Sequence, residues 1–266
     1  MTDYENEIDT IRGLFNKLVS GRQEYDFQPA TLVSHAGDYA DKPDRIRYYG
    51  RQVICGRIMT LLASTRMTTQ ALLQTFLLGA DAKVPFAILL PSRAQLELFS
   101  VVADVVRVIK ENAGEQEAKF AERVRKVDQA LINATFGTRS SVLKGLLFEA
   151  DLSQIRSAVS EDMDVLSAKN VLTRLDKLSK SGAYPERKQD YERLCEYVHP
   201  NWGMNMLMLV PSPLDTRLLR FSMRSDEPYA RAVSACAAVM RRAAAGTLAA
   251  FDNLQPPFGV GKMSYL

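Results

Sequence analysis

Only two histidines, His35 and His199, occur in the 266-residue chain. Imidazole is the side chain best suited to moving a proton near neutral pH. His35 lies in Ser34-His35-Ala36-Gly37-Asp38, inside a run broken by Pro29, Gly37 and Pro43, and reads as a solvated loop group. His199 closes a denser stretch that starts at Tyr191-Glu192-Arg193-Leu194-Cys195 and continues through Glu196-Tyr197-Val198-His199-Pro200-Asn201-Trp202. This stretch also holds the sole tryptophan and one of three cysteines. Tyr191, Leu194, Cys195 and Val198 share one helical stripe, and His199 borders it where Pro200 must stop the helix. Arg193 offers a guanidinium, the group that best holds a phosphate. The six-residue step from Arg193 to His199 is about 240° of helical rotation. A straight helix therefore does not aim both at one point, so distortion before Pro200 or a second subunit is required.

A second pair stands far upstream. Arg93 and Glu97 are at i and i+4 within the most apolar part of the chain, Val84 to Ile109. That spacing lets them pair on one helix face. On a surface such a pair contributes a few tenths of a kcal/mol, roughly; if buried it needs further partners. Other chemistries lack their residues. The sequence holds no glycine-rich phosphate loop after a strand, no HExxH and no GxSxG elbow. Cys55, Cys195 and Cys236 form no CxxC and read as buried free thiols of a reducing compartment. Cysteines and histidines are too few for an expected zinc site, and no cofactor is expected.

Arg193, five intervening residues and His199 near a helix end resemble the Arg-x(4–6)-His motif of the HEPN (higher eukaryotes and prokaryotes nucleotide-binding) superfamily of helical bundles. The segment Tyr-x2-Leu-Cys-Glu-x-Val-His-Pro-Asn, with the earlier Arg93-x3-Glu97, also resembles uncharacterised bacterial helical proteins placed near that group. Active members are metal-independent endoribonucleases, often toxins or defence effectors, and work as dimers with arginine and histidine of both chains at a shared cleft. This chain has Leu194 where they usually carry a polar residue.

The resemblance implies RNA as a partner, a homodimer, and Arg193 and His199 as the catalytic residues. His199 would take or give the proton of the 2′-hydroxyl attack, and Arg193 would hold the phosphate. Tyr197 or Trp202 would stack on a base, with Asn201 beside them in substrate binding. Arg93 and Glu97 would support the pair from behind. The structural alternative has His199 bonded to a core partner such as Glu97 and Trp202 plugging the end of the bundle. It makes the chain a non-catalytic interaction module. Met204–Met208 as a small-molecule pocket is a third reading, mostly explained by core packing.

The elements that must position these residues are helices. Apolar residues are 47% and charged residues 24%, and the net charge of +3 neither demands nor excludes nucleic acid. Periodicity predicts helices over 3–19, 44–63, 68–78, about 92–112, 115–135 and 160–180, with short ones at 139–149 and 151–159. Pro185 starts the key helix, and Pro228 opens the last, which ends near Asn253. Arg45, Arg47, Arg51 and Arg57 give the second helix a basic, solvated side. Residues 204–210 and 218–223 read as a small β-hairpin, although methionine and leucine suit a helix equally.

The expected fold class is all-α, a multi-helix bundle with a small β-hairpin near 204–223. It forms a single domain over 1–266, with an irregular loop at 21–44 and a loose tail at 255–266. The acidic N-terminus does not read as a signal peptide, and no run of 18 apolar residues occurs, so a cytoplasmic protein without membrane contact is expected.

Overall fold

Apolar side chains recurring at three and four give each helix one inward face, and burial of those faces builds the fold. The structure, a computed structural model, describes residues 3–21, 54–112, 119–136, 169–180, 182, 186–199, 202–211, 218–222 and 226–252. It is an all-α bundle with one small hairpin. The helices are α1 (Asp3–Ser20), α2 (Cys55–Asp81), α3 (Pro85–Asn112), α4 (Phe120–Phe136), α5 (Val171–Lys180), α6 (Arg187–Val198), α7 (Trp202–Met208) and α8 (Asp226–Asp252). Strands β1 (Leu209–Pro211) and β2 (Leu219–Phe221) pair antiparallel, with Val210 opposite Arg220.

Several expected boundaries shift. The break at 64–68 is absent, because α2 runs unbroken from Cys55 to Asp81 and Thr65 and Thr69 are buried within it. Gly79 lies inside that helix. A Cβ there would lie 2.6 Å from the Ala87 Cβ, so the glycine lets α2 and α3 approach closely. The helix expected from about residue 92 begins at Pro85, and Pro91 lies inside it. The helix expected from residue 160 starts, among the described residues, at Val171, where the Asn170 side chain accepts the Leu172 N–H at 2.9 Å. Residues 202–208 are helical, so only the end of the expected first strand survives. The 21–44 loop beyond Gly21, the 139–149 and 151–159 helices, the 255–266 tail, His35, Arg45, Arg47 and Arg51 lie outside the described residues.

The chain divides into two compact units. The first comprises Met1–Gln23, Thr65–Ser100 and Leu175–Ala249. Its core includes Ile11, Phe76, Leu96, Phe99, Leu194 and Met240. Within it, the buried Gln95 amide donates to Thr69 at 3.3 Å and to Thr247 at 3.1 Å, tying α3 to α2 and α8. Gly246 faces Phe99, whose ring would stand 2.8 Å from an added Cβ.

The second unit comprises Glu24–Ser64, Val101–Arg174 and Ala250–Leu266. Its core joins Ile58, Leu62, Val102, Ile109, Val127 and Leu131. Arg57 is not on a solvated face: it meets Asp128 at 2.9 Å, with side chains only 6% and 7% exposed. The Arg57 charge is tolerated there because its opposite lies beside it.

By length and apolar composition α3 is the one described helix that reaches membrane-spanning range, and 56% of that window is buried inside the protein. It carries Arg93, Glu97, Asp104 and Arg107, all paired.

Candidate functional site

The site lies in the first unit, where α6 meets α3. Tyr191 and Leu194 form the buried stripe of α6, with Cys195 and Val198 half-buried beside them. Asp190, on the same helix, is buried; its carboxylate accepts from Arg187 at 3.5 Å and from Arg242 of α8 at 3.2 Å. Arg187 in turn stacks 5.6 Å over the Phe99 ring of α3. Burial, then repulsion from Arg242, holds the Arg187 pKa below its ordinary value. These contacts fix the roll of α6 against α3 and α8.

The helix ends at Val198. His199 is its C-cap, with φ −102° and ψ 149°, and its N–H reaches the Cys195 carbonyl at 3.3 Å. A residue before proline is pushed into extended backbone by the proline ring. This carries His199 off the helical screw.

The imidazole does not meet Arg193. Its Nε2 lies 3.4 Å from Nη1 of Arg93, on α3. Arginine can only donate, so in this contact Nε2 accepts and Nδ1 carries the proton. The same guanidinium donates through Nε to Glu97 Oε1 at 3.1 Å and through Nη2 to the Tyr191 hydroxyl at 3.4 Å. Tyr191 donates to Glu97 Oε1 at 3.0 Å. The Arg93 guanidinium also lies 5.6 Å from the centroid of the Tyr191 ring, within cation–π range.

Burial opposes the Arg93 charge, yet the Tyr191 hydroxyl, Cys195 and Glu97 hold its pKa above the ordinary value. Burial also raises the Tyr191 phenol; the Arg93 hydrogen bond opposes this, while Glu97 and Cys195 add to it. One cation is thus shared by a carboxylate, a phenol and an imidazole. Side-chain exposure of 25% at Arg93 and 37% at Glu97 leaves the cluster partly open, and His199 is exposed.

The remaining expected residues separate. Arg193 is exposed, without a hydrogen bond or ion pair to any described residue. Tyr197 is half-buried. Trp202 starts α7 at 75% exposure, so it plugs nothing and the structural alternative fails on that point. Asn201 and Pro200 lie outside the described residues. Arg93 and Glu97, expected as support, stand in the cluster itself. Tyr191 was expected only as core. The usable signal was its position on the α6 stripe together with the further partners that a pair inside an apolar helix requires.

Among the described residues no group of three His, Cys, Asp or Glu side chains could hold a metal ion. No protein family, curated protein or solved structure matches the chain.

Proposed function

We propose that the chain is a HEPN-like, metal-independent endoribonuclease of the toxin or defence type, with His199 as its proton-transfer group and Arg93 as its phosphate-holding group. The observation that supports this is the exposed His199 Nε2 lying 3.4 Å from the Arg93 guanidinium. Phosphodiester cleavage needs a cation at the phosphate and a group that moves protons beside it. Arg93 is held rigidly by Glu97 and Tyr191, so little rotamer freedom is lost when it takes up a phosphate oxygen. Exposed Trp202, three residues after His199, offers a stacking surface for an unpaired base.

The test is incubation of purified protein with single-stranded and structured RNA in EDTA. Wild type cleaves; His199→Ala loses at least about 100-fold of the rate. Absence of cleavage by wild type across the panel overturns the reading. A binding module then remains, favoured by the exposure of Trp202 at 75%, Phe221 at 57% and Leu218 at 53%.

A further inference from the structure

We infer that Glu97 is the general base of this reaction and His199 its general acid; the inference rests on the function proposed above. Glu97 presents two different oxygens. Oε1 accepts from Arg93 Nε at 3.1 Å and from the Tyr191 hydroxyl at 3.0 Å. Oε2 has no hydrogen bond to any described residue, and the side chain is 37% exposed. Both donors fix the carboxylate in place while leaving a free acceptor oxygen. Tyr191 is 8% exposed, too enclosed to reach a substrate, and is a positioning residue.

Glu97 and His199 engage different nitrogens of one guanidinium, Nε and Nη1. A phosphodiester held by the remaining N–H groups of Arg93 would have a carboxylate and an imidazole flanking it. In-line displacement places the attacking and leaving oxygens on opposite sides of phosphorus, which matches a base and an acid on either side of the cation.

The proton inventory closes. Glu97 Oε2 takes the 2′-hydroxyl proton as the 2′-oxygen bonds to phosphorus. The bond from phosphorus to the 5′-oxygen breaks, and that oxygen takes a proton from the His199 imidazolium. Glu97 ends protonated and His199 neutral, and exchange with water restores both. In the acid role His199 Nε2 carries a proton and faces the leaving oxygen instead of Arg93 Nη1, whose N–H is then released to the phosphate. The 2′-hydroxyl must be free to align, so duplex RNA and DNA are not cut.

A 5′-bridging phosphorothiolate separates the two roles, because its sulfur leaves without a proton. Wild type, Glu97→Gln and His199→Ala are assayed in EDTA on a single-stranded RNA with oxygen or sulfur at that position, with folding of each checked by thermal melting. Glu97→Gln keeps the acceptor oxygen for Arg93 and Tyr191, and falls at least about 100-fold on both substrates. His199→Ala falls as far on the oxygen substrate and returns to within about tenfold of wild type on the sulfur one. Rescue of Glu97→Gln rather than His199→Ala by sulfur overturns the inference, as does a Glu97→Gln rate equal to wild type on both. In those cases the ribonuclease reading stands; a wild type that cuts no RNA takes both down.

Discussion

At the scale of residues, Arg93 is the joint of the site, because Glu97, Tyr191 and His199 each use a different nitrogen of its guanidinium. A lysine keeps the charge but presents a point cation without that planar fork. Arg93→Lys therefore lowers RNA cleavage by about 100-fold while leaving the fold intact, as read by single-turnover rates and by circular dichroism. Retention of the rate would show that charge alone suffices.

The thiol of Cys236 gives a pH-dependent test. Burial pushes it up to about 12, with the Ser92 hydrogen bond opposing. The unfolded chain releases this proton near pH 8.5, roughly, so as pH rises it binds fewer protons than the folded chain. The stabilisation is whole below that value and declines as pH climbs toward 12. Urea unfolding of wild type across this range shows a downward slope that Cys236→Ala reduces; equal slopes contradict the assignment.

What the sequence revealed at this scale follows from range. Arg93 with Glu97 was legible because four residues on a helix set their geometry. Arg93 with His199, 106 residues apart, was not, since local periodicity carries no information about which helices meet. Arg193 was favoured by its nearness in the chain, and helical rotation turns it elsewhere.

At the scale of elements, the turn from α6 into α7 decides where Trp202 stands. A Cβ on Gly203 would lie 2.9 Å from the Glu196 Cβ and 3.0 Å from its carbonyl oxygen, so α7 folds back on α6 only with glycine there. Arg231 of α8 holds the other end: its guanidinium donates to the carbonyls of Met206 at 3.1 Å and Leu209 at 2.6 Å, and it pairs with Glu227. Gly203→Ala destabilises by about 1–3 kcal/mol through the forced shift, and weakens RNA binding more than Ala replacement at the exposed Met206 does. Trp202 is the sole tryptophan, so its fluorescence reads this element directly. RNA binding quenches the emission in wild type and less so in Gly203→Ala; unchanged quenching would mean that α7 does not touch the substrate.

The helix ends around His199 were legible because proline acts locally on backbone. The α7 segment was not. Met204 to Met208 suit a helix at least as well as a strand, so composition alone does not reveal which one forms.

At the scale of the whole molecule, the all-α class was readable from periodicity alone. The two units were not. Their boundaries at Ser64/Thr65 and Ser100/Val101 fall inside α2 and α3, so no linker composition marks them. Arg57 shows the same gap: on a helical wheel it joined a basic surface, but its partner Asp128 lies on α4. Arg57→Met removes the cation beside the buried Asp128 carboxylate and destabilises by about 3–5 kcal/mol, while Arg57→Met with Asp128→Leu recovers most of the loss. Denaturant titration of the three proteins checks this; equal stability of single and double variants would contradict it.

The family resemblance implies a cleft shared by two chains, with Arg193 as the phosphate ligand. Here Arg93, Glu97, Tyr191 and His199 all belong to one chain. The measurement that bears most directly on the central claim sets Arg93→Ala against Arg193→Ala in RNA cleavage with EDTA present. Loss of at least about 100-fold in Arg93→Ala, with Arg193→Ala close to wild type, is the predicted result. Loss in Arg193→Ala with Arg93→Ala unaffected would contradict it and return the chemistry to the shared cleft.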